Sequence, residues 1–378
     1  MMTFWTQYQP TKVIFGAGET DNIGKHLSEA GYKQVLLIAD PFMVQSGAAQ
    51  RLVDHSDGII VGVFDKVDPN PTVQNVDAAI KKIQEFKVDA VIGFGGGSVL
   101  DCSKAASAGY ASQLTAEKLV TGSKITAAMP LICIPTTAGT GSEVTPVAII
   151  SWKEKDIKYP LSSPLLYAAI AIDDPRLVYS APKRVIATPG VDVITHCLDA
   201  LTSVKHTPIS DRHALNGAKI AFDNLEKAVN DQDKKALDNM MLASLIAGLA
   251  FSQTGTTGSH ACSYYLTSKY RVVHGEATAF TEDEWFRVNS KARPELNQMV
   301  QTIGFKDAEA VAVRLNEVKK NIGLRTTLEE INVPLSDLDT VAERTIQANN
   351  YINNIIQLNK EEIKQLLLKK SASSAAQS

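Results

Sequence analysis

Two different periods of hydrophobic and polar positions divide the chain. In the first half, short apolar runs rich in β-branched residues recur between polar, helix-compatible stretches. They fall at 12–15, 34–39, 88–94, 131–135 and 171–173. Runs of this length predict buried strands, and their alternation with helical segments predicts a parallel, helix-covered sheet. After Pro182-Lys183 the strand pattern fades. Residues 239–250 are apolar nearly all round, as in a buried helix. The change of period predicts an α/β domain over residues 1–182 and an all-helical domain over 183–378, with no linker and no internal repeat.

Two strands run into loops with candidate chemistry. Strand 88–94 leads directly into Gly95-Gly96-Gly97-Ser98, then Asp101, then a helix. Glycines let a backbone approach a ligand closely, and the free N–H groups of a helix start attract an anion such as a pyrophosphate. A tight structural turn is the alternative. Strand 131–135 ends in Thr136-Thr137-Ala138-Gly139-Thr140-Gly141-Ser142-Glu143, whose hydroxyls suit a ribose or phosphate. Strand 34–39 closes on Asp40-Pro41. An acid there either accepts from adenosine ribose hydroxyls or makes a simple Asp-Pro turn. Gly16-Ala17-Gly18 imitates a dinucleotide fingerprint, but Asp21 holds the third glycine position, so a turn is expected.

The helical half carries four polar residues in apolar company. Asp192 and His196 stand four apart, on one helix face. His260 and His274 follow, the second preceding Gly275. Three imidazoles and a carboxylate suit a mononuclear site for iron or zinc. The plainer alternative is a capping aspartate with ordinary histidines.

Taken together, these motifs in this order resemble the iron-containing (group III) alcohol dehydrogenase family, from about residue 10 to about 367. The resemblance implies a dehydroquinate synthase-like fold: an N-terminal α/β domain binding NAD(H), a helical C-terminal domain binding one divalent metal, and the active site in the cleft between them. Asp192, His196, His260 and His274 match the metal ligands. Fe(II) is the expected ion, with Zn(II) or Ni(II) as alternatives. Gly95, Gly96, Gly97, Ser98 and Asp101 match the pyrophosphate loop, and Thr136, Thr137 and Thr140 the second nucleotide loop. Asn70 matches a position near the adenine, Lys158 one near the phosphates, and Asp40 the acid that favours NAD. Asp199 stands where members often carry Glu. Many members have a further histidine four residues after the third ligand. Here that position is Tyr264, so its proton-relay role is not carried over, and Tyr264 is expected to line the substrate pocket.

The implied function is an NAD-dependent alcohol dehydrogenase, equally an aldehyde reductase, acting on a small alcohol or aldehyde. Two alternatives stand beside it. One is a reductase of an anionic aldehyde, with Lys269 and Arg271 as the candidate partners. The other is a lyase of the dehydroquinate synthase type, which needs a basic cluster that the ligand segments lack. With 378 residues there is room for two cores, and a net charge of −3 gives no footprint for nucleic acid or a membrane surface. No apolar run is long enough to span a bilayer, and the start lacks the pattern of a signal peptide. Cys102, Cys133, Cys197 and Cys262 have no framework spacing and read as free thiols in the cytoplasm. A homodimer or larger homo-oligomer is expected from the resemblance, and residues 371–378 are expected to form a frayed tail.

Overall fold

The computed structural model describes residues 4–155 and 157–372. The first three residues and the tail from 373 to 378 lie outside them. Ser371 and Ala372 do not fray: Ser371 is buried, and the Ala372 amide donates to the Glu329 carboxylate at 2.9 Å. Two compact units emerge. One comprises Tyr8–Thr137 and Gly141–Val178; the other takes the residues up to Gln7, the strip Ala138–Thr140, and the chain from Tyr179 onward.

The first unit contains β1 (Lys12–Phe15), β2 (Val35–Ala39), β3 (Ile60–Phe64), β4 (Ala90–Gly95), β5 (Leu131–Pro135), β6 (Val147–Trp152), β7 (Ile157–Ser162) and β8 (Ile170–Asp173). Its helices are α1 (Ile23–Glu29), α2 (Pro41–Gln45), α3 (Ala48–Asp54), α4 (Val73–Phe86), α5 (Gly97–Ser112) and α6 (Ala116–Val120). Six strands form one sheet in the order β1-β8-β5-β4-β2-β3, and β6 and β7 form a separate antiparallel pair. All pairings in the six-stranded sheet are parallel. Strands β2, β4 and β5 are buried along their whole length, which is why they read as continuous apolar runs. Their side chains alternate between two cores. Leu36, Ile38 and Val91 join Val76, Ile83 and Leu100 on one face, while Leu37, Ile92 and Ile134 join Ile23, Leu27 and Leu52 on the other.

From β2 the chain moves to β3 on one side; from β4 it moves to β5 on the other. The direction of winding therefore reverses between β2 and β4. A doubly wound sheet leaves a crevice at such a point, beyond the carboxyl ends of the strands. Register aligns Ala39 with Phe94 and Gly95 with Pro135, so Asp40 emerges level with Gly95, and Gly96 and Thr136 follow one residue beyond.

The second unit is helical: α7 (Lys183–Thr202), α8 (Pro208–Asn230), α9 (Lys234–Thr254), α10 (Gly258–Tyr270), α11 (His274–Ala292), α12 (Leu296–Met299), α13 (Ala308–Asn321), α14 (Leu338–Gln347) and α15 (Lys360–Leu368). Helix α7 is buried over most of its length, including Asp192, His196 and Asp199. Leu266, Phe280, Trp285, Leu338 and Leu366 build a core from α10, α11, α14 and α15. The chain end is clasped to it. Asp283 on α11 accepts from Lys319 Nζ at 2.8 Å and from Lys370 Nζ at 3.0 Å, all three buried.

Candidate functional site

Four side chains from three helices converge in the helical unit. Helix α7 presents Asp192 and His196, the first turn of α10 presents His260, and His274 opens α11. The Nε2 atoms of His260, His196 and His274 lie 3.6, 3.9 and 3.9 Å from the Asp192 carboxylate oxygens. These gaps are too long for hydrogen bonds. A tetrahedral ion with bonds of about 2.1 Å holds its donors roughly 3.4 Å apart, so the donors stand a few tenths of an ångström wider than a bound ion needs. Donor atoms of Asp192, His260 and His274 all lie within 4.8 Å of one another; His196 reaches Asp192 but stands outside that mutual limit. Asp192, His196 and His260 are buried, whereas the His274 side chain is 50% exposed. His260 Nε2 is buried and has no hydrogen-bond partner in the protein. A buried, unpartnered nitrogen aimed at a carboxylate, with nitrogen and oxygen donors only, fits a divalent cation.

Local packing explains the convergence. Gly275 follows His274, and a Cβ there would sit 2.0 Å from the Thr188 carbonyl oxygen and 3.1 Å from Asp192 Cβ. Only glycine lets α11 start this close to α7. Thr278, one turn on, donates its hydroxyl to Asp192 Oδ1 at 2.6 Å. Phe251 stacks on the His196 ring at 4.2 Å. Burial alone would raise the Asp192 carboxyl, but the facing histidines and Thr278 hold it below the usual carboxylate range. Burial lowers His196, outweighing the Asp192 charge, and so keeps its imidazole neutral, the form that binds metals. Burial would also lower His260, yet the Asp199 charge wins and raises it.

Asp199 was noted in the sequence only as a family position, and the structure gives it a place in the site. It is buried on α7 and accepts His260 Nδ1–H at 2.6 Å. It is one and two turns beyond the ligands, so Asp192, His196 and Asp199 form one helix stripe. That i, i+4, i+7 spacing was the available signal. A second buried carboxyl, Glu282, faces Asp199. Burial and the Asp199 charge push it well above the usual range.

In the α/β unit the nucleotide candidates also gather. Gly96 is the N-cap of α5 and has no side chain to bond the amides of the first turn, although Val99 N–H bonds the Gly96 carbonyl at 3.0 Å. A Cβ on Gly95 would strike Val99 at 2.7 Å and lie 3.1 Å from Asp40 Cβ. A Cβ on Gly96 would lie 3.5 Å from Thr137, whose buried Oγ1 has no partner. Thr136 N–H bonds the Gly95 carbonyl at 3.0 Å. Ser98 Oγ accepts from Asn70 N–H at 3.1 Å, and Lys158 Nζ donates to Asn70 Oδ1 at 2.8 Å, which brings three distant candidates together. The glycine cradle and the unpartnered Thr137 hydroxyl fit a phosphate-bearing ligand.

Other candidates have further or different engagements. Asp40 Oδ1 accepts the Phe42 amide at 2.8 Å as the N-cap of α2, so the Asp-Pro turn forms, with Oδ2 left over. Asp101 accepts from Ser142 Oγ at 3.0 Å and from Ile149 N–H at 2.9 Å. Both its oxygens are used by the protein, and we read it as a tie behind the loops. Thr140 lies in the strip grouped with the helical unit, where a Cβ on Gly139 would be 2.3 Å from Pro189 Cβ. Gly18 starts a short 3-10 turn, and its amide donates to Asp174 at 3.0 Å, a structural turn as expected. Tyr264 is 43% exposed. Burial and the charges of Asp199 and Asp192 push its phenol up to about 12; at that exposure the charges are the firmer cause. Lys269 lies near Asp337, nine residues past His260 and roughly 13 Å further along α10. All four cysteines are buried and unpaired.

The family model described as iron-containing alcohol dehydrogenase matches residues 10–175, and that described as Fe-containing alcohol dehydrogenase family, C-terminal, matches 186–371. Alcohol dehydrogenase 4 of Saccharomyces cerevisiae is 31% identical over 373 residues, 96% of this chain and 97% of that one. A 1-propanol dehydrogenase of Citrobacter freundii is 38% identical over 272 residues, 71% of this chain and 69% of that one. Among solved structures, a sulfoacetaldehyde reductase from Bifidobacterium kashiwanohense in complex with NAD+ superposes with a TM-score of 0.94. It is 34% identical, covering 98% of this chain and 100% of that one.

Proposed function

This chain belongs to the iron-containing alcohol dehydrogenase family, and from that premise we propose that it interconverts a small alcohol and its aldehyde with NAD(H) and one divalent metal. The observation that carries the reading is the set of three histidine Nε2 atoms facing one buried carboxylate at 3.6–3.9 Å. Asp192, His196, His260 and His274 would hold the ion. Thr278 fixes the Asp192 carboxylate and Phe251 fixes the His196 ring, so two of the four ligands are aimed before any ion arrives. His274, half exposed, leaves one side of the site open to a substrate oxygen. Tyr264 lines the substrate pocket. The residues Gly95–Ser98 and the start of α5 bind the pyrophosphate, with Asn70, Lys158, Thr136 and Thr137 around it. Asp40 selects NAD by accepting from the ribose and repelling a 2′-phosphate. Such an ion, held by Asp192, His196, His260 and His274, would supply Lewis acidity at the substrate oxygen, and NAD(H) would supply the hydride chemistry.

With no thiolate in the donor set, metal availability decides occupancy, and Fe(II) is the resident ion in a fresh anaerobic preparation. The test is NADH absorbance against a panel of alcohols and aldehydes, on protein of measured metal content. Turnover that needs the ion and returns with Fe(II) is expected. Full turnover after complete chelation would overturn the reading. A second reading, reduction of an anionic aldehyde, draws on the sulfoacetaldehyde reductase neighbour. The candidate cations for such an anion, Lys269 and Arg271, stand at the far end of α10 from His260, so sulfonated and neutral aldehydes belong in the same panel.

We also infer a homodimer or larger assembly in the cytoplasm. Strand β1 is a sheet edge with Val13 and Phe15 exposed, the kind of edge that proteins cover. Four free thiols suit a reducing compartment. Among the described residues no helix is long and apolar enough to cross a membrane. Sedimentation equilibrium of the purified protein tests the assembly, and a monomer at micromolar concentration would refute it.

A further inference from the structure

We propose that Asp199 is a positioning residue that sets the tautomer and the aim of His260 before any metal binds. The inference rests on the metal site proposed above. A carboxylate has about four lone-pair sites, and every one at Asp199 is filled by a donor from the start of α10. Oδ1 accepts from the Thr257 and Ser259 hydroxyls, the latter at 3.1 Å. Oδ2 accepts from the Thr257 backbone N–H at 2.9 Å and from His260 Nδ1 at 2.6 Å. The ring orientation follows from this arithmetic. A carboxylate that accepts four donors gives none back, so the neutral His260 ring carries its proton on Nδ1. In that form Nε2 is a bare lone pair, buried and without a protein partner, 3.6 Å from Asp192. His196 has no carboxylate at its Nδ1: its neighbour is the Gly139 backbone, and the ring stacks on Phe251. The two buried histidines therefore differ, and His260 is the one held by a charged acceptor.

The same four bonds anchor the helix end that carries the ligand. Thr257 is the N-cap of α10 but makes no side-chain cap of its own. Asp199 supplies the acceptor from a different helix. One carboxylate thus ties the N-cap residue and first-turn side chains of α10 to α7 and aims a metal ligand.

Replacing Asp199 separates acceptor from charge. In Asp199→Asn the amide oxygen can take the Oδ2 place and keep both N–H donors. The amide NH2 then faces two hydroxyls, which can turn and accept. In Asp199→Ala both N–H donors lose their acceptor, and the His260 ring is free to rotate or change tautomer. Competition of Zn(II) against a chromophoric chelator should show the Ala variant weakened by about 10- to 100-fold, the range for losing such a partner. The Asn variant should fall between Ala and wild type, and NAD+ affinity should be unchanged in both. An Ala variant that binds Zn(II) as tightly as wild type would overturn the proposal, and so would an Asn variant as weak as Ala. Should the Ala variant fail to fold, histidine 15N NMR of the ion-free wild type decides directly. At a pH where the ring is neutral, a proton at Nδ1 supports the assignment, and a proton at Nε2 refutes it. A wild type that binds no divalent ion would instead sink the metal-site reading, and the tautomer measurement would still judge Asp199.

Discussion

Gly275→Ala is the sharpest probe of how the ligands are brought together. The added methyl would meet the Thr188 carbonyl oxygen at 2.0 Å, where even tight contacts of real Cβ atoms fall at 3.0–3.4 Å. The start of α11 must retreat by about 1 Å, and His274 moves with it. Metal–ligand distances tolerate roughly ±0.2 Å, so the displacement is several times what the site accepts. Stability responds less. Overpacking costs about 1–3 kcal/mol, and Ala in place of Gly in a helix returns about 1 kcal/mol. The net loss is roughly 0–2 kcal/mol, within reach of a folded protein. The variant should melt near the wild type yet purify with little metal and turn over about 10²-fold more slowly, the scale of a 1 Å misplacement. Metal analysis beside a thermal melt separates the two effects. One ion per chain with wild-type turnover would show that α11 does not depend on this close approach.

Other expectations follow from the same geometry. Asp40→Gly should raise activity with NADP(H) relative to NAD(H), at a stability cost of only a few tenths of a kcal/mol because glycine is an acceptable N-cap; equal use of both cofactors by the wild type would remove Asp40 from the ribose. None of the four cysteines should react with a thiol reagent in the native protein, since burial pushes Cys262 up to about 11, Cys133 up to about 12 and the other two higher still; one fast-reacting thiol would contradict this packing. Glu276 is buried and held below the usual glutamate range: burial opposes this, but the Arg325 fork at 2.7 and 2.8 Å outweighs it. A depressed carboxylate stabilises above its unfolded value of ~4.3 and loses that contribution as pH falls through its folded value. Glu276→Gln should therefore cost roughly 2 kcal/mol at pH 7, in denaturant melts whose gap to wild type closes in acid. Tyr264→Phe should keep turnover and the shape of the pH–rate profile, whereas a loss of about 10²-fold would make the hydroxyl a proton carrier.

The sheet was legible because its central strands are buried on both faces and so read as unbroken apolar runs; β3, with exposed alternate residues, and the β6–β7 pair did not announce themselves this way. The loop after β4 was legible because three glycines follow a strand directly. The Asp192/His196 pair was legible because helix periodicity is local. Nothing local joins His260 to His274, since the chain must turn back after α10 to bring their rings within 5.6 Å; only the resemblance linked them. Partners far apart in sequence were invisible for the same reason. Lys158 and Asn70 meet across two sheets' worth of chain, and the donors to Asp199 all come from another helix. Asp101 shows the converse: its place in a motif suggested a ligand contact, while its partners Ser142 and Ile149 make it a tie.

The sheet order carries a consequence for synthesis. Among the described residues β1 is the first strand in chain order, yet its only sheet neighbour is β8, the last strand of the unit, which also closes the free side of β5. A nascent chain therefore carries β1 as an unpaired segment, and β5 as a raw edge, until Asp173 has left the ribosome. Pairing across so long a loop is slow even though the entropy of closing it grows only gently with length. The interval before β8 emerges is the window in which this chain is open to edge-to-edge aggregation and needs chaperone cover. A fragment meant to isolate the nucleotide-binding unit must run through Val178; one that stops before Ile170 leaves both edges open and should be recovered from inclusion bodies.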